Sequence, residues 1–186
     1  MFPERVVLVG FMGSGKTRVG RELANRLGWR HVDLDREIEV REGVTIPEYF
    51  ERHGETAFRA IEAEITPLFT AASHTVISTG GGWVTNPGMF EALPSGTLTV
   101  FLRVAPEEVL RRVSVGPGRS TRPLLAGPDP AAKIVELMAA RDPLYSRAML
   151  AVETDRRSPR DVAEEICRNM QGGEWQTKHD VDSGIE

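Results

Sequence analysis

Val6-Val7-Leu8-Val9-Gly10-Phe11-Met12-Gly13-Ser14-Gly15-Lys16-Thr17 is the segment from which the rest of the chain can be ordered. Its first four residues form an unbroken apolar run, the pattern of a strand buried on both faces. The next eight fit G-x-x-x-x-G-K-[ST]. Beyond them Val19, Leu23 and Leu27 recur at four-residue spacing as far as Gly28, which marks a helix and its stop. Strand, glycine-rich turn and helix are the context in which this motif cradles phosphate. Glycines let successive backbone N–H groups point inward, and the helix start adds partial positive charge. Gly13, Ser14 and Gly15 then supply the cradle, Lys16 reaches the β- and γ-phosphates of a nucleotide, and the Thr17 hydroxyl is placed to ligate Mg²⁺.

Working outward, His31–Leu34, Thr75–Ser78, Thr97–Leu102 and Met149–Val152 read as four further strands. Helical patterns occupy Arg36–Glu42, Ile46–Arg52 and Glu55–Ala71. A last helix starts at Ser158-Pro159 and carries Val162, Ile166 and Met170 on one face. Alternation of this kind predicts an α/β domain whose parallel sheet is covered on both sides, with functional loops at the strands' carboxyl ends. Residues 1–170 are expected to form one domain with a lid at about 113–127, and 171–186 a loosely ordered tail.

Composition narrows the classes. The 186 residues carry a net charge of -4, which gives no reason to expect nucleic acid or an anionic membrane as partner. The single Cys167 excludes an internal disulfide framework, and the four histidines lack metal-ligand spacing. No apolar run approaches the ~20 residues of a membrane helix, and the N-terminus does not read as a signal peptide. A cytoplasmic location is the expectation, with a monomer as the default for this size.

The loop alone does not separate GTPases, motor-type ATPases and metabolite kinases. The chain has no Asn-Lys-x-Asp segment for reading guanine, and Ser78-Thr79-Gly80 stands where a Walker-B aspartate would. Other groups must help with the metal. In Asp33-Leu34-Asp35 the two carboxylates, read as strand residues i and i+2, face one crevice. Asp33 could hold Mg²⁺ through waters; Asp35 could bind an acceptor hydroxyl and take its proton, or simply cap the following helix. Arg141 falls on the apolar stripe Ile134, Leu137, Met138, Tyr145, and a buried arginine needs either an internal carboxylate or a ligand carboxylate. In Phe58-Arg59-Ala60-Ile61-Glu62, Glu62 can orient the Arg59 fork or form an ordinary surface pair with it. The Gly/Pro-rich, cationic stretch that includes Arg119 and Arg122 reads as a lid able to bring an arginine onto a transferring phosphoryl group.

Taken together, Gly10–Thr17, Asp33-Leu34-Asp35, Phe58–Glu62, Gly80-Gly81-Gly82, Arg122-Pro123-Leu124-Leu125 and Arg141 before Pro143-Leu144-Tyr145 resemble shikimate kinase, within the nucleoside-monophosphate-kinase-like P-loop group. The resemblance implies a three-layer fold with a five-stranded parallel sheet in the order 2-3-1-4-5. It implies ATP, Mg²⁺ and transfer to the 3-hydroxyl of shikimate. By the same analogy Arg59 and Arg141 hold the shikimate carboxylate, Asp35 engages ring hydroxyls, and Gly80, Gly81 and Gly82 turn backbone N–H groups to the substrate. Arg122 closes with the lid, Arg112, Arg157 and Pro159 border the adenine, and Asp33 and Ser78 reach the metal through water. Trp83 and the inserted Val115-Gly116-Pro117-Gly118 depart from the pattern; the tryptophan's bulk would crowd or wall the substrate pocket. A related metabolite kinase such as a gluconate kinase, or a non-catalytic nucleotide-binding regulator of the same fold, are the competing readings.

Overall fold

The computed structural model describes residues 2–115 and 129–172. Five parallel strands, β1 (Arg5–Val9), β2 (Arg30–Asp33), β3 (Thr75–Ser78), β4 (Thr97–Arg103) and β5 (Leu150–Glu153), lie in the order β2-β3-β1-β4-β5. The helices are α1 (Lys16–Leu27), α2 (Leu34–Glu42), α3 (Ile46–Thr70), α4 (Pro106–Val115), α5 (Pro130–Tyr145) and α6 (Pro159–Gly172). This is the three-layer architecture expected. β1 shows why: successive side chains alternate between faces. Val6 and Leu8 pack with Val19 and Leu23 of α1 and with Val162 and Ile166 of α6. Val7 and Val9 pack on the other side with Phe58 and Ile61 of α3, Val109 of α4 and Ile134 of α5.

Helix ends follow the sequence signals. Thr45 and Glu48 form a capping box at α3, and Ser158 accepts the Asp161 N–H at 3.2 Å to cap α6. The two helical stretches expected on either side of residues 53–54 are one element bent at Gly54, whose φ of 77° and ψ of 177° interrupt the helix. Four details differ from the sequence reading. β2 stops at Asp33, because that residue's carboxylate accepts the Arg36 N–H and turns the chain into α2. Asp35 is therefore a first-turn helical residue, and Asp33, not Asp35, is the cap. β5 begins at Leu150, one residue after Met149. Trp83 sits in a 3₁₀ turn (Trp83–Thr85) and is fully buried, with its indole N–H donating to Thr66 Oγ1 at 3.1 Å and its ring edge-on to Phe90. It underpins the glycine turn from within the core.

The lid expected at 113–127 begins inside α4, which continues to Val115; Arg119, Arg122 and the Arg122–Leu125 segment fall outside the described residues. α6 runs two residues past Met170, and the tail from 173 is likewise outside them. Cys167 is half-buried against the α1/α6 core layer, in keeping with inert packing.

Candidate active site

The loop between β1 and α1 curls through left-handed Gly13 and Gly15, the latter serving as the N-cap of α1. Lys16 is buried, and its ammonium donates to the carbonyls of Gly10 (2.7 Å) and Phe11 (3.0 Å), spanning its own loop. The Thr17 hydroxyl donates to Asp33 Oδ2 at 2.6 Å, so the two residues assigned to the metal are in contact. Ser78, the third, is buried and donates to the Lys16 carbonyl at 3.0 Å.

Beside the loop opens a cleft of about 930 Å³, lined by Gly13–Thr17, Arg111, Arg112, Thr154, Arg157 and Pro159. Its size and its cations suit a nucleotide. Arg112 crosses it as a fixed strut: it donates to the Gly13 carbonyl (3.0 Å), the Thr154 carbonyl (2.7 Å) and Glu108 Oε1 (2.7 Å). Glu108 is held down to about 2 by hydrogen bonds from Arg111 and Arg112, and stays charged as their anchor. Arg157 bonds the carbonyls of Glu153 and Asp161, which fixes it at the start of α6 next to Pro159. A smaller cavity of about 430 Å³ lies behind Phe11 and Tyr145, between β4 and α5; it contains none of the predicted site residues.

The acceptor side is assembled from three distant segments. Arg59 on α3 donates to Glu62 Oε2 at 2.7 Å and to Glu55 Oε1 at 3.0 Å. Its guanidinium lies against Gly82, where a Cβ would stand 2.1 Å from Nη2, so a side chain there would displace the Arg59 fork from this position. Arg141 on α5 is 6% exposed; it donates to the Gly81 carbonyl at 3.2 Å and lies 5.9 Å over the ring of Phe11. Among the described residues no carboxylate is within ion-pair distance of Arg141. Glu62 interacts with Arg141 electrostatically without pairing with it, which leaves the fork able to take a ligand carboxylate. Gly81 in turn abuts the phosphate loop, its Cβ position 3.1 Å from Met12 N. Arg59, Arg141, Gly80–Gly82 and the loop thus meet at one place, at the carboxyl ends of β1 and β3.

Two carboxylates complete it. Glu62 is fully buried; burial pushes it up to about 7 against the pull of Arg59. Asp35 is pushed up to about 6 by burial and by Asp33, with Lys16 and Arg59 opposing. One oxygen of each, Glu62 Oε1 and Asp35 Oδ1, is buried without a hydrogen-bond partner among the described residues, and both converge under Gly80, 2.4 and 2.8 Å from its Cβ position. A side chain at Gly80 would have to displace both carboxyl groups from these positions.

The sequence reading did not find Asn86, whose amide donates to Glu62 Oε2 and the Arg59 carbonyl, both at 3.2 Å. Nor did it find the polar role of Tyr145, whose hydroxyl donates to the Gly81 carbonyl. A phenol four residues after a buried arginine was the available signal for the second; for Asn86 there was none.

Among the described residues no helix is long and apolar enough to cross a membrane, and no cluster of three or more His, Cys, Asp or Glu side chains forms a metal cage. Comparison with known proteins agrees with the geometry. The shikimate kinase from Symbiobacterium thermophilum is 45% identical over 167 residues, covering 89% of this chain and 95% of that one. The shikimate kinase of Mycobacterium avium is also 45% identical, covering 89% and 93%. The structure of Acinetobacter baumannii shikimate kinase in complex with shikimate superposes with a TM-score of 0.87 at 37% identity, covering 95% of this chain and 97% of that one. A Sinorhizobium meliloti gluconokinase shares the fold only, at TM-score 0.56 and 19% identity. With the family's sequence pattern matching residues 12–171 as well, the chain belongs to the shikimate kinase family.

Proposed function

We propose that the protein transfers the γ-phosphoryl group of ATP to the 3-hydroxyl of shikimate, giving shikimate 3-phosphate and ADP. It is an ATP-dependent phosphotransferase by family membership. The observation that carries the acceptor assignment is Arg141: a buried guanidinium with no carboxylate at ion-pair distance among the described residues, next to Arg59 and to the phosphate loop. A substrate carboxylate between these two forks gains charge-assisted bonds of about 1.5–3 kcal/mol each. Its ring then lies toward Asp35, within the same cluster.

In this reading Lys16 leaves the Gly10 and Phe11 carbonyls for phosphate oxygens, and the N–H groups of Gly13, Ser14 and Gly15 hold the phosphate chain. Arg112, Arg157 and Pro159 border the adenine. Asp35 orients the acceptor hydroxyl and accepts its proton as the bond to phosphorus forms. Positioning matters more than base strength, because the phosphoryl transition state is loose. Arg122 is assigned to the transferring phosphoryl group from the family resemblance. The residues fit Mg²⁺: hard oxygens of Thr17 and Asp33 in contact, with no all-protein cage among the described residues, suit an ion that keeps its waters and binds phosphates. When bound, Mg²⁺ neutralises charge on the β- and γ-phosphates. Thr17 would ligate it directly, and Asp33 and Ser78 through water. The net charge of -4 gives no reason to invoke nucleic acid or an anionic membrane, and a cytoplasmic monomer, the default for this size, completes the proposal.

The test is ADP release with ATP and Mg²⁺, comparing shikimate, gluconate and no acceptor. Turnover with shikimate alone is expected. Turnover with gluconate but not shikimate would overturn the assignment, and nucleotide binding without turnover would mark a regulator.

A further inference from the structure

His31 lies on β2 two residues before Asp33, so both side chains point to the same face of the strand, toward α1. Asp33 is in register with Ser78 on β3, which places the Ser78 side chain on that face as well. His31 Nε2 is 3.0 Å from Ser78 Oγ, and Ser78 Oγ is 3.0 Å from the Lys16 carbonyl. The three meet where α1 presents Gly20. A Cβ at Gly20 would stand 2.6 Å from both His31 Nε2 and Ser78 Oγ, so the contact requires glycine.

Proton accounting settles the direction of these bonds. A serine hydroxyl has one proton and two lone pairs, and a backbone carbonyl can only accept. The Ser78 proton therefore goes to Lys16, and His31 must be the donor to Ser78, which fixes Nε2 as the protonated nitrogen. One lone pair of Ser78 is left, on the face that carries the Thr17–Asp33 contact.

We propose that His31 is a positioning residue for the magnesium side of the nucleotide site: by donating to Ser78 it fixes the hydroxyl so that its last lone pair is aimed at a metal-bound water. Without that donor the hydroxyl has two free lone pairs and no preferred one. This inference rests on the reading that Mg²⁺–nucleotide binds at Thr17 and Asp33. It concerns how well the metal adds to nucleotide affinity, not whether the loop binds phosphate.

The experiment is calorimetric titration of ADP with and without Mg²⁺, on the wild-type protein and on His31→Leu, His31→Gln and Ser78→Ala, each checked for an unchanged melting temperature. Mg²⁺ is expected to tighten ADP binding in the wild type. In His31→Leu that gain falls about three- to tenfold, the worth of one oriented hydrogen bond, while Mg²⁺-free affinity is unchanged. His31→Gln, which keeps an N–H donor, restores most of the gain. Ser78→Ala loses as much as His31→Leu, and the double variant loses no more. A full gain in His31→Leu, an equal loss with and without Mg²⁺, or no rescue by glutamine would overturn the role of His31. A wild type whose ADP affinity ignores Mg²⁺ would overturn the metal reading itself, and that failure is visible before any variant is measured.

Discussion

The two halves of the site solve the problem of holding cations in opposite ways. On the nucleotide side Lys16 donates to the Gly10 and Phe11 carbonyls, Arg112 to those of Gly13 and Thr154 as well as to Glu108, and Arg157 to those of Glu153 and Asp161 while pairing with Glu165. The carbonyls are neutral acceptors that phosphate oxygens can replace, and Glu108 and Glu165 keep the two arginines anchored as that exchange takes place. On the acceptor side Arg59 is locked by a fully buried Glu62, and Asp35 and Glu62 each carry an oxygen without a hydrogen-bond partner among the described residues. Two arginines and two carboxyls form a compact, costly cluster in which burial pushes Asp35 and Glu62 toward their neutral forms. The nucleotide side is built for exchange and the acceptor side for selection. Disturbing the second should therefore cost more.

The largest effect is expected from Asp35→Asn. It removes the proposed proton acceptor while leaving shape and the neighbouring Asp33 intact, so kcat should fall about 10²-fold or more. Nucleotide affinity by calorimetry should stay near wild type. Wild-type turnover would reduce Asp35 to a first-turn helical residue without chemistry. Next comes Arg141→Ala, which deletes the fork that has no carboxylate at ion-pair distance among the described residues. The KM for shikimate should rise about 10- to 100-fold with the KM for ATP little changed. Equal losses for both substrates would erase the contrast between the halves.

The pH dependence sharpens the same contrast. Asp35 and Glu62 have folded-state values of about 6 and about 7, above their ordinary 3.8 and 4.5. A raised carboxyl stabilises the fold while protonated, fully so below its ordinary value, and that contribution is lost as pH rises through the folded value. The ligand-free protein should therefore lose melting temperature between about pH 4 and 7. Activity should run the other way, because Asp35 must be ionised to accept a proton: kcat/KM for shikimate should decline below about pH 6. Asp35→Asn and Glu62→Gln should each flatten part of the stability slope. A melting temperature that rises steadily over this range would show that the two carboxyls are better compensated than their orphaned oxygens imply.

The halves also differ in how far they could be read from sequence, for a physical reason. The phosphate loop is one contiguous segment, with strand, turn and helix signals all local, so its geometry followed from its residues. A parallel sheet covered on both faces followed from the alternation of strands and helices, and its strand order from the family resemblance alone. The acceptor side depends on pairs separated by 60 residues or so, such as Arg141 with Gly81. Residue types could nominate its arginines but not show Asn86 completing the Glu62 contact. Asp33 and Asp35 were misread as a strand pair because the capping bond from Arg36 N starts the helix one residue after Asp33. Trp83 was read as crowding or walling the substrate pocket, and nothing local announced Thr66 as a buried partner for its indole.

The smallest effect belongs to the nucleotide side. Arg112→Ala removes a strut that touches Gly13, Thr154 and Glu108, yet Glu108 keeps both of its bonds from Arg111. With Arg112 proposed to border the adenine, its loss should raise the KM for ATP about threefold to tenfold, leaving the KM for shikimate within about twofold. Arg112→Lys should recover little, since an ammonium cannot span a carbonyl on the loop and another on Thr154 with one planar fork. If Arg112→Ala instead damaged shikimate binding as much as Arg141→Ala does, the strut would be carrying strain from Gly13 through Met12 to Gly81. The two halves would then be one mechanical unit, and the distinction between exchange and selection would be one of chemistry alone.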